Sequence, residues 1–183
     1  IGVLQLPVVM SVWDDGYGIS VPQGYHTTKK SISKFLAGIQ RTKNEPGFEI
    51  FTVKAWDYPS LLAVYKKAAT IAREEHVPCL IHVTEVTQPQ GHSTSGSHER
   101  YKSKERLEWE KQHDCILKMR AWLLEENIVD EATLEKLEDD AKREAKEARN
   151  DAWKAFTSEM KDDYNEAIQL LEAIDHPKAT ALL

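Results

Sequence analysis

The chain has 183 residues, and its 24 Lys and Arg against 30 Asp and Glu give a formal net charge of −6. That length suits one domain or one and a half at roughly 150 residues per domain, and the acidic balance disfavours a nucleic-acid partner, which requires a basic face. No apolar run approaches the ~18 residues of a membrane-spanning helix, so we expect no membrane partner. Two cysteines cannot build a disulfide framework, which favours a reducing compartment.

The first half of the sequence is typical of an α/β layer with parallel strands. Strands are predicted over residues 7–13, 49–56 and 79–86, and the first of them is apolar enough to be buried on both faces. Asp57 is placed to cap a helix over residues 60–75, with Pro59 in its first turn. A strand, a helix of this length and another strand make a right-handed βαβ unit. A short helix over residues 33–40 is expected in the long connection before it.

The second half of the sequence is predicted to be helical, because half of residues 102–163 are charged and apolar positions recur every three or four residues. Ser103 is placed to cap one helix that runs to about Glu126, and Asp130 caps a longer one. The apolar stripe of the long helix is rich in alanine between Ala141 and Ala152, so we expect another helix, in this chain or a partner, to pack there. The chain is therefore divided into a partial α/β domain, residues 1–101, and a helical region, residues 102–183.

The first loop with candidate chemistry is residues 14–20, Asp-Asp-Gly-Tyr-Gly-Ile-Ser, which follows the first predicted strand. The carboxyl ends of parallel strands are where open α/β sheets bind ligands. Two adjacent carboxylates offer hard oxygen ligands for Mg²⁺ or Ca²⁺, and glycines let the backbone approach a phosphate. Asp-Gly is also a common turn dipeptide, so the spacing alone leaves a simple turn and a ligand site both open.

The second candidate loop is residues 88–98, which follows the third strand and carries His92, His98 and four hydroxyl side chains. Its histidines are either solvated or available as donors to an anion and as acid or base. Zinc is excluded because the two histidines lack a zinc-ligand spacing and have no cysteine near them. Ser93 does not indicate a hydrolase, because no strand–Gly-x-Ser-x-Gly–helix elbow surrounds it. The other histidines, His82 among them, are isolated and are interpreted as solvated or core residues.

Several stretches in chain order carry a family resemblance: residues 6–22, 56–65, 78–81, 91–101 and 104–120. They resemble the α subunits of the thiamine diphosphate-dependent dehydrogenase component of 2-oxo acid dehydrogenase complexes. Residues 6–22 resemble the second half of that family's thiamine diphosphate motif, and Gly-His-Ser-Thr-Ser at residues 91–95 resembles its histidine loop. The resemblance covers about residues 3–150 and, in Gly-Tyr-Gly-Ile-Ser-Val-Pro and His-Ser-Thr-Ser, is closer to the branched-chain type than to the pyruvate type.

The resemblance implies an α/β fold, part of a parallel-sheet domain that binds thiamine diphosphate and Mg²⁺, followed by a long α-helical region. The family's metal-binding side chain falls on Asp15, and the backbone carbonyl that joins it falls on Tyr17. The implied cofactor-binding residues are Asp15, Gly16, Ile19 and His92, with His92 as the catalytic contact. Ser93 falls on a position that is a regulatory phosphorylation site in some mitochondrial members.

The chain departs from the family pattern at two places. The family has Asn-Asn where this chain has Asp14-Asp15, which adds negative charge beside a diphosphate. The Gly-Asp-Gly half of the motif has no counterpart before Asp15, so we expect this sequence to be a piece of a longer protein and to be inactive alone.

The function that the resemblance implies is oxidative decarboxylation of a 2-oxo acid, with transfer of the acyl group to a lipoyl partner. The expected partners are a β-type subunit or region, a lipoyl-bearing acyltransferase and further copies in an oligomer. We expect a cytoplasmic protein of bacterial type, with the mitochondrial matrix as the other location. The alternatives are another transketolase-like thiamine diphosphate enzyme and a non-catalytic helical assembly module.

Overall fold

The structure is a computed structural model that describes residues 1–92 and 98–174. The chain divides into two compact units, Ile1–Ile128 and Val129–Leu183, so the first unit continues past the change in charge density near Tyr101. Among the described residues, no helix combines the length and the apolarity needed to cross a membrane.

The first unit is built around a parallel sheet of three strands, in the order β1 (Val9–Trp13), β5 (Cys79–Thr84) and β4 (Glu49–Lys54). In this sheet, Cys79 of β5 is level with Val9 of β1 and Glu49 of β4, so the three strands end at one edge. A separate short hairpin follows β1. The strands are β1 Val9–Trp13, β2 Tyr17–Gly18, β3 Val21–Pro22, β4 Glu49–Lys54 and β5 Cys79–Thr84. The three predicted parallel strands are confirmed, each slightly shorter than expected.

Helix α2, Tyr58–Thr70, connects β4 to β5 and packs on one face of the sheet. It begins as predicted, because the Asp57 carboxylate accepts a hydrogen bond from the Ser60 amide at 3.1 Å. Side chains alternate between the two faces of a strand, and Cys79, Ile81 and Val83 of β5 all join the core on the α2 side. Burial raises the pKa of the Cys79 thiol, so this side chain is a poor nucleophile and acts as a core residue.

Strand β1 lies at an edge of the described sheet, and the prediction that it is buried on both faces is wrong. Its residues alternate between exposed and half-buried, and Trp13 is 57% exposed. The sheet order explains the difference, since only the central strand has a neighbour on each side. Strand β5 takes that place and is buried at its first five positions.

The connection between β3 and β4 is more irregular than the single helix expected over residues 33–40. Helix α1 covers only Ile32–Phe35 and is followed by a 3₁₀ turn, Leu36–Ile39. Before the helix, Lys29 and Lys30 both adopt left-handed backbone conformations, with φ of 59° and 51°. Two left-handed residues in succession form a tight turn, which no pattern in the sequence predicts.

The single helix expected over residues 103–126 is in fact two, α3 Lys104–Gln112 and α4 Cys115–Glu125. Ser103 caps α3 as predicted, accepting a hydrogen bond from the Arg106 amide at 3.2 Å. The break has a local cause, because Asp114 accepts hydrogen bonds from the amides of Ile116 and Leu117 and begins a new helix.

The second unit contains α5, Glu131–Glu172, which confirms the predicted long helix. Asp130 caps it by accepting a hydrogen bond from the Thr133 amide at 2.8 Å. The alanines of its stripe are exposed at Ala141, Ala145, Ala148 and Ala152. Packing of this stripe within the chain is therefore not observed in the described residues, and packing on a partner stays a prediction.

Candidate functional site

A cleft of about 230 Å³ opens at the carboxyl edge of the sheet, where the sequence predicts a ligand site. The segment after β1 contributes Asp14, Asp15 and Gly16 to its wall, and β5 contributes His82. Arg106 reaches the cleft from α3. The cleft therefore brings together residues from the loop after the first strand, from the central strand and from a helix far along the chain.

Asp14 anchors the loop that follows β1, residues 14–17, which we call the metal loop because the sequence predicts metal ligands in it. Its Oδ1 accepts a hydrogen bond from the Gly16 amide at 2.8 Å, and its Oδ2 accepts one from the Gln23 side-chain amide and one from His82 Nε2 at 2.8 Å. Burial by itself would raise the pKa of the Asp14 carboxyl, but the hydrogen bonds from His82, Gly16 and Gln23 outweigh burial and lower that pKa. Both oxygens of this anion are thus engaged in holding the loop.

His82 joins the metal loop to α1 across the sheet. Its side chain is 2% exposed, and its Nδ1 lies 2.9 Å from the Ser33 hydroxyl oxygen. Its Nε2 donates to the Asp14 carboxylate, so both ring nitrogens of His82 are hydrogen-bonded. The sequence analysis missed this role of His82. The available signal was a polar residue inside an otherwise apolar strand, two positions before the strand ends.

Asp15 and Tyr17, the predicted metal ligands, lie on the same turn. The Tyr17 amide donates to Asp15 Oδ1 at 3.0 Å, and Asp15 lines the cleft. Gly16 between them has a φ of +82°, in the left-handed region that favours glycine. The structure confirms the turn, and this turn forms a wall of the cleft. Binding of a ligand there, the other alternative that the sequence left open, stays a prediction.

Ile19 lies between the two short strands that follow the metal loop and is 67% exposed. Its φ of 60° is unusual for a β-branched residue and is expected to store about 1–3 kcal/mol of strain. Ile19 is not among the described residues that line the cleft. The predicted contact between Ile19 and a cofactor therefore stays a prediction.

Replacing Ile19 with glycine should stabilise the first unit by about 1 kcal/mol, because glycine adopts the left-handed conformation without strain. Val21, in the neighbouring strand β3, is a matched control with extended backbone, and Val21→Gly should destabilise instead. Chemical denaturation of both variants tests this. A loss of stability in Ile19→Gly equal to that in Val21→Gly would show that Ile19 is not strained.

The predicted histidine loop lies at the limit of the described residues. His92 is exposed and does not occur among the described residues that line the cleft, and the phosphorylation position Ser93 lies outside the described residues. The ends of the loop approach each other, because a Cβ placed on Gly91 would lie 2.8 Å from the Cβ of His98. The roles of His92 and Ser93 remain predictions.

Several polar residues of the cleft were not identified from the sequence as site residues, Gln23, Lys30 and Arg106 among them. Gln23 and Lys30 belong to the irregular connection between β3 and β4, and Arg106 lies in the first turn of α3. None of them stands in a pattern with a recognisable spacing. Their places follow from the fold, so sequence reasoning had no signal with which to find them.

The sequence matches the family model described as "Dehydrogenase E1 component" over residues 2–161. Among curated proteins, it is 29% identical over 143 residues to the pyruvate dehydrogenase E1 component subunit alpha of Rickettsia bellii (strain RML369-C). The same subunit of Rickettsia felis is 27% identical and that of Rickettsia conorii 28%. Each alignment covers 78% of this chain and 41% of the relative, so the chain spans less than half the length of these proteins.

Proposed function

Because the chain belongs to the dehydrogenase E1 component family, we propose that the whole protein catalyses the oxidative decarboxylation of a 2-oxo acid with thiamine diphosphate. It would pass the acyl group to a lipoyl-bearing acyltransferase and work with a β-type subunit or region. The observation that carries the proposal is the cleft at the carboxyl edge of the sheet, lined by Asp15 and shaped by the metal loop.

The cleft offers donors that suit Mg²⁺ and a diphosphate. Mg²⁺ prefers carboxylate and carbonyl oxygens, which Asp15 and the Tyr17 backbone would supply, and Lys30 and Arg106 bring positive charge to the same cleft. Within residues 1–92 and 98–174, no cluster of three or more His, Cys, Asp or Glu side chains is placed to hold a metal ion by itself. The remaining ligands would come from the diphosphate and from other parts of the protein.

The residues of this chain would bind and orient the cofactor, while thiamine diphosphate, when bound, supplies the carbanion chemistry of decarboxylation. Asp15 and the Tyr17 carbonyl would hold Mg²⁺. Asp14 would keep their loop fixed on the sheet through His82, since both of its oxygens are engaged. His92 would donate a hydrogen bond to the diphosphate or to the substrate.

Replacing Asp15 with alanine in the complete protein should weaken binding of Mg²⁺ with thiamine diphosphate by more than about 10-fold, equivalent to ~1.4 kcal/mol. Calorimetric titration of the cofactor into protein with Mg²⁺ measures this. Asp139→Ala is the matched control, because that side chain is 79% exposed and pairs only loosely with Lys142 on α5. Unchanged affinity in Asp15→Ala would remove the proposed metal site.

The substrate class is the finer part of the proposal. Residues 16–22 and 92–95 favour a branched-chain 2-oxo acid, whereas the relatives named above are subunits of pyruvate dehydrogenase. We expect kcat/KM for 3-methyl-2-oxobutanoate to exceed that for pyruvate in the complete enzyme. A preference for pyruvate would contradict the branched-chain assignment and leave the reaction type standing.

The proposed enzyme and the alternatives differ in what they require. Dialysis of the complete protein followed by addition of thiamine diphosphate and Mg²⁺ should restore decarboxylation, and acyl transfer should then depend on a lipoyl acceptor. A related enzyme with another acceptor would need the cofactor but not the lipoyl group. An assembly module would oligomerise without cofactor-dependent activity.

A further inference from the structure

An ion cluster at the start of α3 lies beside the metal loop. Its members are Lys102, just before the helix, and Arg106 and Glu110 within it, and they are called the α3 cluster here. Lys102 Nζ lies 2.8 Å from both carboxylate oxygens of Glu110, and each of these two side chains is only 2% exposed. Arg106 Nε donates to the same carboxylate at 2.8 Å. Two cations on one carboxylate leave a net positive charge at this position.

The α3 cluster contacts both residues of the proposed metal site. Arg106 Nη2 donates to the backbone carbonyl of Asp15 at 3.0 Å, so the guanidinium is fixed at one end by Glu110 and at the other by the metal loop. Lys102 Nζ lies 5.2 Å and Arg106 Cζ 5.7 Å from the centre of the Tyr17 ring, within the range of cation–π attraction.

We propose that Arg106, held by Glu110, is a positioning residue that fixes Asp15 and Tyr17 for the metal ion. The inference rests on the proposed function and adds to it a residue on a separate helix, α3, that orients the metal ligands. A long arginine side chain normally loses much rotamer freedom when it orients a ligand, but here Glu110 already fixes it. Residues that orient metal ligands change metal affinity by 10–100-fold when they are replaced.

The test compares metal binding with stability in the complete protein. Arg106→Met removes the donor and the charge but keeps most of the side-chain length, and the 27% exposure of Arg106 favours folding of the variant. We expect the affinity for Mg²⁺, titrated at saturating thiamine diphosphate, to fall by about 10-fold, with little change in the melting temperature of the cofactor-free protein. Arg143→Met, which breaks the Arg143–Asp140 pair on α5, is the control and should change neither quantity.

A double-mutant cycle with Asp15→Ala separates positioning from direct contact. If Arg106 acts through Asp15, Arg106→Met in the Asp15→Ala background should weaken binding by less than about threefold further. A full 10-fold further loss would show that Arg106 acts on the cofactor site independently of the Asp15 carboxylate and would overturn the inference. Equal Mg²⁺ affinity in Arg106→Met and wild type, or a loss of affinity matched by a large fall in cofactor-free melting temperature, would also overturn it.

The proposed function and this inference fail in different ways. If the wild-type protein binds no thiamine diphosphate with Mg²⁺, the proposed function fails and the inference fails with it. If wild type binds both and Asp15→Ala weakens binding while Arg106→Met does not, only the inference fails. A partial effect of Arg106→Lys supports positioning, because one ammonium cannot span both Glu110 and the Asp15 carbonyl as the guanidinium does.

Discussion

Replacing Glu110 with leucine should lower the free energy of unfolding of the first unit by about 3–5 kcal/mol. The reason is the charge that remains, since the Lys102 ammonium is buried and its close acceptors among the described residues are the two carboxylate oxygens of Glu110. Attraction to the Tyr17 ring at 5.2 Å compensates only a small part of the lost ion pair. Arg106, which is 27% exposed, can regain water and adds little to the loss.

Native-state hydrogen exchange at the amides of α3 and β5 measures this change in the complete protein. The double variant Lys102→Met with Glu110→Leu should recover most of the stability, because a buried ion pair replaced by apolar residues of similar volume is often close to neutral. Glu108→Leu, at an exposed position of the same helix, should cost little. A small effect of Glu110→Leu, with no recovery in the double variant, would contradict the burial of this pair.

The features that the sequence predicted correctly depend on neighbours along the chain. The βαβ unit could be predicted because Asp57 caps α2 and because apolar runs of strand length flank this helix. The long helix was readable from its apolar repeat and from Asp130. The missed break at Asp114 was also local, since the same capping rule applies there.

The burial of β1 was mispredicted because burial depends on the order of strands in the sheet. Apolar residues on both faces of a strand indicate a central position, yet β5 is the central strand among those described and β1 lies beside it. No pattern within residues 7–13 distinguishes an edge strand from a central one. The order is decided by pairings with residues about 70 positions away, such as Val9 with Cys79.

A cleft lies at the sheet edge where the sequence predicted a ligand site, and the predicted residues form only part of its lining. Asp14 and Asp15 are equivalent as neighbours in sequence, and their roles separate only because His82, 68 positions away, binds Asp14. Arg106 is 91 positions from the Asp15 carbonyl that it contacts. Such contacts arise from the packing of whole helices and strands. Sequence spacing therefore identifies the loop, but it does not distinguish the hydrogen-bond partners of Asp14 from those of Asp15.

Replacing His92 with alanine should reduce decarboxylation by the complete enzyme by about 10²-fold, while the melting temperature hardly changes. A positioned donor to a developing charge contributes about 10²–10³-fold in rate when water is excluded from the site. The small effect on stability follows from exposure, since the His92 side chain is not part of the core of the first unit. Single-turnover decarboxylation at saturating thiamine diphosphate and Mg²⁺ measures the chemical step without product release.

His98→Ala is the matched control for His92→Ala, because His98 closes the same loop but is not the residue that the family resemblance assigns to the cofactor. Its replacement removes side-chain atoms that face Gly91, so it reports what disturbance of the loop alone does to the rate. A loss of rate in His98→Ala as large as that in His92→Ala would mean that the loop as a whole matters and that His92 has no separate role. A large rate loss confined to His92→Ala, with unchanged affinity for thiamine diphosphate, would assign the contact of His92 to the reacting substrate, because a ground-state contact to the diphosphate would lower cofactor affinity as well.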